Sequence, residues 1–325
     1  MKKKIGVIYG GDSSEIVVSE KSALGVQSFI NKDIYDIIPI LITNKKWAAQ
    51  IDGKEYDIDK NDFSYTVNGI KSVVDFSYVT IHGTPGEDGK LQGYFDLVGI
   101  KHSTCGLLPA ALTFNKFVCN NYLRGFGVQV ADSVLLRKGM LFDEVSILSK
   151  VGLPCFVKPN AGGSSFGVTK VKSAEDFHSA VIKAFNESDE VVVEQFINGV
   201  ELTCGLYKVV GKEVVFPITE VISKNEFFDF EAKYNASMAE EITPARISES
   251  ATLRIRTIAS MVYDILGCKG IIRIDFFLSG DNVFLLEVNT TPGMTMTSFI
   301  PQQIRAAGLN IAEVFSDIIE DGLSS

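Results

Sequence analysis

The sequence predicts an α/β (α+β) protein of two or three domains, and three stretches carry that prediction. Lys4 to Tyr9 is a short apolar strand that runs into Gly10-Gly11 and then a helical pattern to Ile30, the opening of an α/β unit. Phe156 to Pro159 and Val168 to Val171 are strands joined by a glycine and serine loop, Asn160 to Gly167. Gly270 to Pro301 reads as a hairpin carrying Arg273, Asp275, Glu287 and Asn289 among apolar residues.

In the first stretch, ligand groups gather at the carboxyl end of a strand followed by a glycine turn. The turn lacks a full GxGxxG, so a dinucleotide is not indicated. Taken alone, Glu15 reads as a first-turn acid favoured by the helix dipole. Further strands are expected at Ile34 to Ile42 and Val73 to Ile81, the latter ending in His82-Gly83-Thr84-Pro85-Gly86-Glu87-Asp88-Gly89. So irregular a loop at a strand end suits a binding site, although His82 fits a core histidine equally well. Gln92 to Val98 reads as a helix, and Asp57 to Asn68 carries no chemical signal.

Asn115 to Phe126 reads as a helix with Lys116 near its start. The Asn160 to Gly167 loop lies between strands, unlike a GxxxxGK[ST] phosphate loop. Its amides and hydroxyls can close over a polyphosphate while Lys158 supplies a point charge. A mobile surface hairpin is the alternative. Val191 to Phe196 is a third strand, and Glu201 opens a fourth after Asn198-Gly199. Phe227 to Tyr234 is a crowded aromatic and charged loop. Leu253 to Leu266 is a helix ending at Gly267, and Ser298 to Ala307 is another.

A loop of Gly280-Asp281-Asn282 sets Asp275 opposite Glu287 and Arg273 opposite Asn289, all on one sheet face. Ile272, Ile274, Phe276, Phe284, Leu286 and Val288 then share the other face. Two facing carboxylates repel unless a cation lies between them. Carboxylate and amide oxygens are hard ligands that suit magnesium. The alternative is a salt-bridged hairpin in which Arg273 neutralises both acids.

Composition narrows the function. Apolar residues make up 46% and charged residues 22%, and no apolar run is long enough to cross a bilayer. The net charge is −9 with three histidines and no basic stripe, which argues against nucleic acid. Five scattered cysteines without a CxxC exclude a disulfide framework or zinc site. The lysines of MKKKIGVIYGG are followed by too few apolar residues for a signal peptide, so a cytoplasmic protein without membrane insertion is expected.

Six motifs stand in order along the chain: Gly10-Gly11 with Ser13 and Glu15-x-x-Val18-Ser19; His82-Gly83 with Gly86 to Gly89 and Gln92-Gly93; Val157-Lys158-Pro159 with Gly163-Ser164-Ser165-x-Gly167; Glu231-Ala232-Lys233-Tyr234; Arg273-Ile274-Asp275; and Glu287-Val288-Asn289-Thr290 with Pro292-Gly293-Met294. In these the chain resembles the D-alanine-D-alanine ligases of the ATP-grasp superfamily over nearly its whole length. The resemblance implies an ATP-grasp fold of three domains. Residues 1–107 would form an N-terminal parallel-sheet domain for D-alanine, 108–200 a central domain with the phosphate lid, and 201–325 a C-terminal domain with the metal and catalytic hairpin.

The resemblance also implies the roles. Lys116, Lys158, Ser165, Glu201 and Lys233 would hold ATP, with Glu194, Gln195, Phe196 and Ile197 along the adenine. Asp275, Glu287 and Asn289 would hold two magnesium ions, manganese being the alternative. Glu15 would take the ammonium of the first D-alanine in a triad with Ser164 and Tyr234, and His82 would lie near that substrate. Arg273 and the Gly293 amide would stabilise the oxyanion, separately from the metal ligands, with Ser298 and Phe299 at the second carboxylate. The reaction implied is formation of D-alanyl phosphate and attack on it by the second amine, for peptidoglycan precursors, in an enzyme that is a homodimer. Two positions depart from the family pattern: Gly162, where an acid is frequent, and Lys101 to Gly106, which lacks a Pro-Tyr. The rivals are a D-alanine-D-lactate or D-alanine-D-serine ligase, which Tyr234 argues against, and a non-catalytic ATP-binding regulator.

Overall fold

In a computed structural model describing residues 2–163, 166–223 and 239–324, β1 (Lys3–Gly10) is buried on both faces, as the middle of a parallel sheet requires. Ile5 and Val7 enter one apolar cluster and Ile8 the other. After α1 (Ile16–Phe29), β2 (Tyr35–Ile42) pairs parallel to β1. An antiparallel meander follows, β3 (Trp47–Ile51), β4 (Lys54–Asp59), β5 (Ser64–Val67) and β6 (Ile70–Ser72). β7 (Phe76–Val79) then joins the free edge of β1 in parallel, giving the order β6-β5-β4-β3-β2-β1-β7. The chemically silent Asp57 to Asn68 is thus part of the meander. With α2 (Lys90–Val98) it encloses an aromatic group in which Phe63 lies 5.1 Å from Phe95.

Residues 101–106 pin this sheet to the rest of the chain. Ser103 Oγ accepts the Val79 N–H, and the Cys105 thiol packs on Lys269, accepting its N–H at 3.4 Å.

α3 (Leu107–Phe114) and α4 (Lys116–Arg124) lead to a second, antiparallel sheet. It comprises β8 (Ser133–Arg137), β9 (Cys155–Pro159), β10 (Thr169–Val171) and β11 (Glu190–Gln195) in the order β10-β9-β11-β8. α5 (Glu144–Val151), whose first turn is capped by the Asp143 carboxylate, and α6 (Ala174–Phe185) pack on it through Ile147, Val151, Phe177 and Val181.

The third sheet has the order β15-β14-β12-β16-β17, with β13 (Lys212–Val215) beside β12 (Val200–Val209). Its other strands are β14 (Thr219–Ser223), β15 (Ala239–Ile242), β16 (Ile272–Ser279) and β17 (Asn282–Asn289). α7 (Glu249–Leu266), capped by Ser248 and ended by Gly267 in the left-handed region, covers one face with Ile255, Ala259 and Val262. α8 (Phe299–Ala306) lies on the other, where Ile300 reaches Gly205 of β12. α9 (Ile311–Ser324) crosses back to the first sheet: Phe315 stacks on Tyr78 at 5.1 Å, and the Tyr35 hydroxyl donates to Glu320 at 2.6 Å.

The β16–β17 hairpin corrects one expectation. Arg273 faces Asn289 and Asp275 faces Glu287 as expected, but Ser279 faces Asn282 and the turn is the two residues Gly280-Asp281. A β-bulge at Asp275/Phe276 absorbs the difference, placing Phe276 opposite Leu285. One extra residue swaps the faces beyond it. Val283 and Leu285 therefore enter the core with Ile272, Ile274, Phe276 and Val288, whereas Phe284 and Leu286 face the cleft described next.

Candidate active site

All three sheets open onto one cleft of about 1830 Å³. Its floor is the polar face of β16 and β17. The Arg273 guanidinium grips Asp275 with two bonds, Nε to Oδ1 at 2.9 Å and Nη2 to Oδ2 at 2.8 Å, and Asn289 Nδ2 donates to the same carboxylate at 3.2 Å. Residues two apart on a strand share a face, and a carboxylate there takes the adjacent cation. Arg273 is thus not separate from the acids as expected, but bound to one of them. Lys116 Nζ lies 3.9 Å from Glu287, so each acid has its own cation. Burial opposes the charge on Arg273, yet Asp275, Glu287 and Glu87 more than offset this and hold it charged. Among the described residues no three of His, Cys, Asp or Glu cluster as metal ligands; the expected set is two carboxylates and an amide.

Lys158 on β9 and Glu194 on β11 are both buried and joined at 2.6 Å. Gln195, Ile197 and Glu201 continue this wall. Phe196 is not part of it; its ring packs 6.1 Å from Phe156 beneath the Lys170 ammonium. At the loop beyond β9, Gly162 has φ +117°, a region that an acid in its place would rarely adopt. Ser164, Ser165, Lys233 and Tyr234 lie outside the described residues.

Glu15, the N-cap residue of α1, and His82, in the loop three residues past β7, come from the part of the chain built on the first sheet. Glu15 is buried against the loop, where a Cβ on Gly163 would meet its Oε1 at 2.8 Å. Ser22 Oγ lies 3.2 Å from His82 Nε2 and accepts the Met294 N–H at 3.2 Å, tying α1 to the segment after β17. A Cβ on Gly25 would lie 2.0 Å from Met294 O, so only glycine permits this approach. Burial, with help from the Arg273 charge, pushes His82 down to about 4 and keeps it neutral. Glu87 was noted within its motif but not as a site residue. Burial, and then the neighbouring Glu15, push it up to about 8, while its Oε2 accepts the Gly83 N–H at 2.7 Å.

At the far end, Gly293, Ser298 and Phe299 line the cleft, and the Phe299 ring lies 5.5 Å from Arg273 Cζ. Ser298 is the N-cap residue of α8, and its Oγ accepts the Thr295 N–H at 3.0 Å. Glu241 of β15, which the sequence did not single out, also lines the cleft and accepts from Gln302 Nε2 at 2.5 Å. Its local signal is an Ala-Glu-Glu-Ile strand, which does not reveal which acid turns inward.

Comparison with known proteins identifies relatives with this architecture. Family models described as D-ala D-ala ligase N-terminus and D-ala D-ala ligase C-terminus match residues 4–105 and 122–320. A D-alanine–D-alanine ligase of Phocaeicola vulgatus is 58% identical over 323 residues, 99% of each chain. One of Porphyromonas gingivalis is 48% identical, covering 100% of this chain and 99% of its own. Among solved structures, the VanG D-Ala:D-Ser ligase of Enterococcus faecalis has a TM-score of 0.85 at 32% identity, covering 99% of this chain and 100% of that one. A Bacillus anthracis D-alanine–D-alanine ligase complexed with ATP has a TM-score of 0.79 at 29% identity, covering 99% and 98%.

Proposed function

The chain belongs to the D-ala D-ala ligase family, and from that premise we propose how its cleft joins two D-alanine molecules with conversion of ATP to ADP and phosphate, supplying D-alanyl-D-alanine for peptidoglycan precursors. The observation that carries the reading is the convergence of Glu15, Lys158, Arg273, Asp275, Glu287 and Asn289 from three sheets onto one cleft. The first D-alanine carboxylate attacks the γ-phosphorus of ATP, giving an acyl phosphate and ADP. The second amine then attacks the acyl carbon, and phosphate leaves.

Lys116 and Lys158 neutralise the polyphosphate, with Ser165 and Lys233, and the adenine lies along Glu194, Gln195 and Ile197 with the ribose near Glu201. Asp275, Glu287 and Asn289 offer only oxygen donors from paired strand positions, a set that fits magnesium or manganese and not a soft metal. These three residues would hold two such ions, whose charge would offset that of the phosphate oxygens. Glu15 takes the first ammonium and, with Ser164 and Tyr234, closes the lid; His82, neutral, contacts that substrate. Arg273 and the Gly293 amide stabilise the tetrahedral oxyanion, and Ser298 and Phe299 receive the second carboxylate. Closure protects the acyl phosphate from water.

In this reading residues 1–107, 108–200 and 201–325 are domains, supported by one sheet in each, and the enzyme is a cytoplasmic homodimer. No helix among the described residues is long and apolar enough to cross a membrane. Incubation with ATP, magnesium and D-alanine should release ADP in a D-alanine-dependent manner and yield the dipeptide by mass spectrometry. Chelation of magnesium should stop it. Nucleotide binding without turnover would favour the non-catalytic regulator.

A further inference from the structure

We propose that Glu241 positions the second amino acid by receiving its ammonium group, so that the acceptor subsite selects an amino acid over a 2-hydroxy acid. The inference rests on the ligase reading above. Glu241 lines the cleft at the end that holds Arg273, Ser298 and Phe299. Its hydrogen bond among the described residues comes from a neutral amide, Gln302 Nε2, which also donates to Thr297 O at 2.6 Å. Arg273, whose charge also acts on Glu241, gives its two hydrogen bonds to Asp275 instead.

A carboxylate taken partly out of water, with no cation hydrogen-bonded to it among the described residues, gains by binding one. Burial raises the Glu241 pKa against the smaller opposing effects of Gln302 and Arg273, so an arriving ammonium favours the carboxylate form. Gln302 lies in the turn of α8 that follows Ser298, whose end of the helix carries a partial positive charge. A zwitterionic amino acid matches this pair of charges, its carboxylate toward Ser298 and its ammonium toward Glu241. Once bound, the ammonium passes one proton to the Glu241 carboxylate and becomes the attacking amine, and the N–C bond forms as phosphate leaves. A hydroxy acid such as D-lactate has no cation to offer, and its presence leaves the Glu241 charge unanswered.

The test is competition between D-alanine and D-lactate as acceptors at saturating ATP and magnesium, with wild-type, Glu241→Gln and Glu241→Asp proteins. Glu241→Gln should raise the KM of the second D-alanine and lower the ratio of dipeptide to depsipeptide about tenfold or more, with the first D-alanine and ATP affinities unchanged. Glu241→Asp should recover part of the ratio. An unchanged ratio, or an equal loss with both acceptors, overturns the inference. Absence of any dipeptide from the wild-type protein overturns the ligase reading and this inference with it.

Discussion

Arg273 is bound to Asp275 by two hydrogen bonds and is the proposed oxyanion donor, so its removal has two separable consequences. Arg273→Ala should lower turnover by about 10²–10³, the effect typical of losing an oxyanion donor. It should also lower the melting temperature, because Asp275 loses its cation in a buried setting. Steady-state kinetics and thermal unfolding on one sample separate the two, and near-normal turnover would sink the oxyanion role. Two other residues govern pH dependence. His82 is held down at about 4 against an ordinary 6.5, so its contribution to stability is present above about 6.5 and is lost as pH falls toward 4. Glu87 is raised to about 8 from 4.5, so its contribution is full below 4.5 and is lost as pH rises through 8. Glu87→Gln should therefore flatten the decline in melting temperature between pH 5 and pH 8, measured against wild type. Glu15, His82, Lys158, Arg273, Asp275, Glu287 and Asn289, which line the cleft, were legible because each sits in a distinctive motif, whereas the roles of Lys116, Glu201, Ser298 and Phe299 came from the resemblance alone. Glu87 and Glu241 were not assigned, because an acid's burial depends on partners far away in the chain.

At the scale of elements, the β16–β17 hairpin depends on one bulge. The pairing of Asp275 with Glu287 survives a two-residue turn only because the extra residue Leu286 is taken up on β17 between Leu285 and Glu287. Deleting Leu286 should remove the bulge and leave Asp275 opposite Glu287 in a regular two-residue hairpin, with Val283, Leu285 and Val288 still turned inward, so nucleotide binding measured by calorimetry should be retained. Loss of binding would show that the bulge itself shapes the cleft. Alternating hydrophobicity made the hairpin and its polar face readable. It could not locate the bulge, because Phe284, Leu285 and Leu286 are all apolar and the pattern does not say which of them turns inward.

At the scale of the molecule, α9 joins the end of the chain to its beginning. Ile5, Val7, Phe29 and Tyr78 share one cluster with Phe315, Ile318 and Ile319. Phe315→Ala should cost about 3–5 kcal/mol by leaving a cavity between α9 and the first sheet, read as a lower denaturation midpoint. An effect within a few tenths of a kcal/mol would mean that α9 is not integral to that core. The α/β class, most elements, the ATP-grasp resemblance and the facing of Asp275 and Glu287 followed from the sequence, since period, glycine turns and local motifs are properties of neighbouring residues. Only the tertiary structure decided that Arg273 binds Asp275, that Lys158 meets Glu194, that Gly25 lets α1 reach Met294, and that Glu241 faces the cleft. Those outcomes depend on which distant groups burial brings within hydrogen-bonding range, and a linear pattern does not encode that distance.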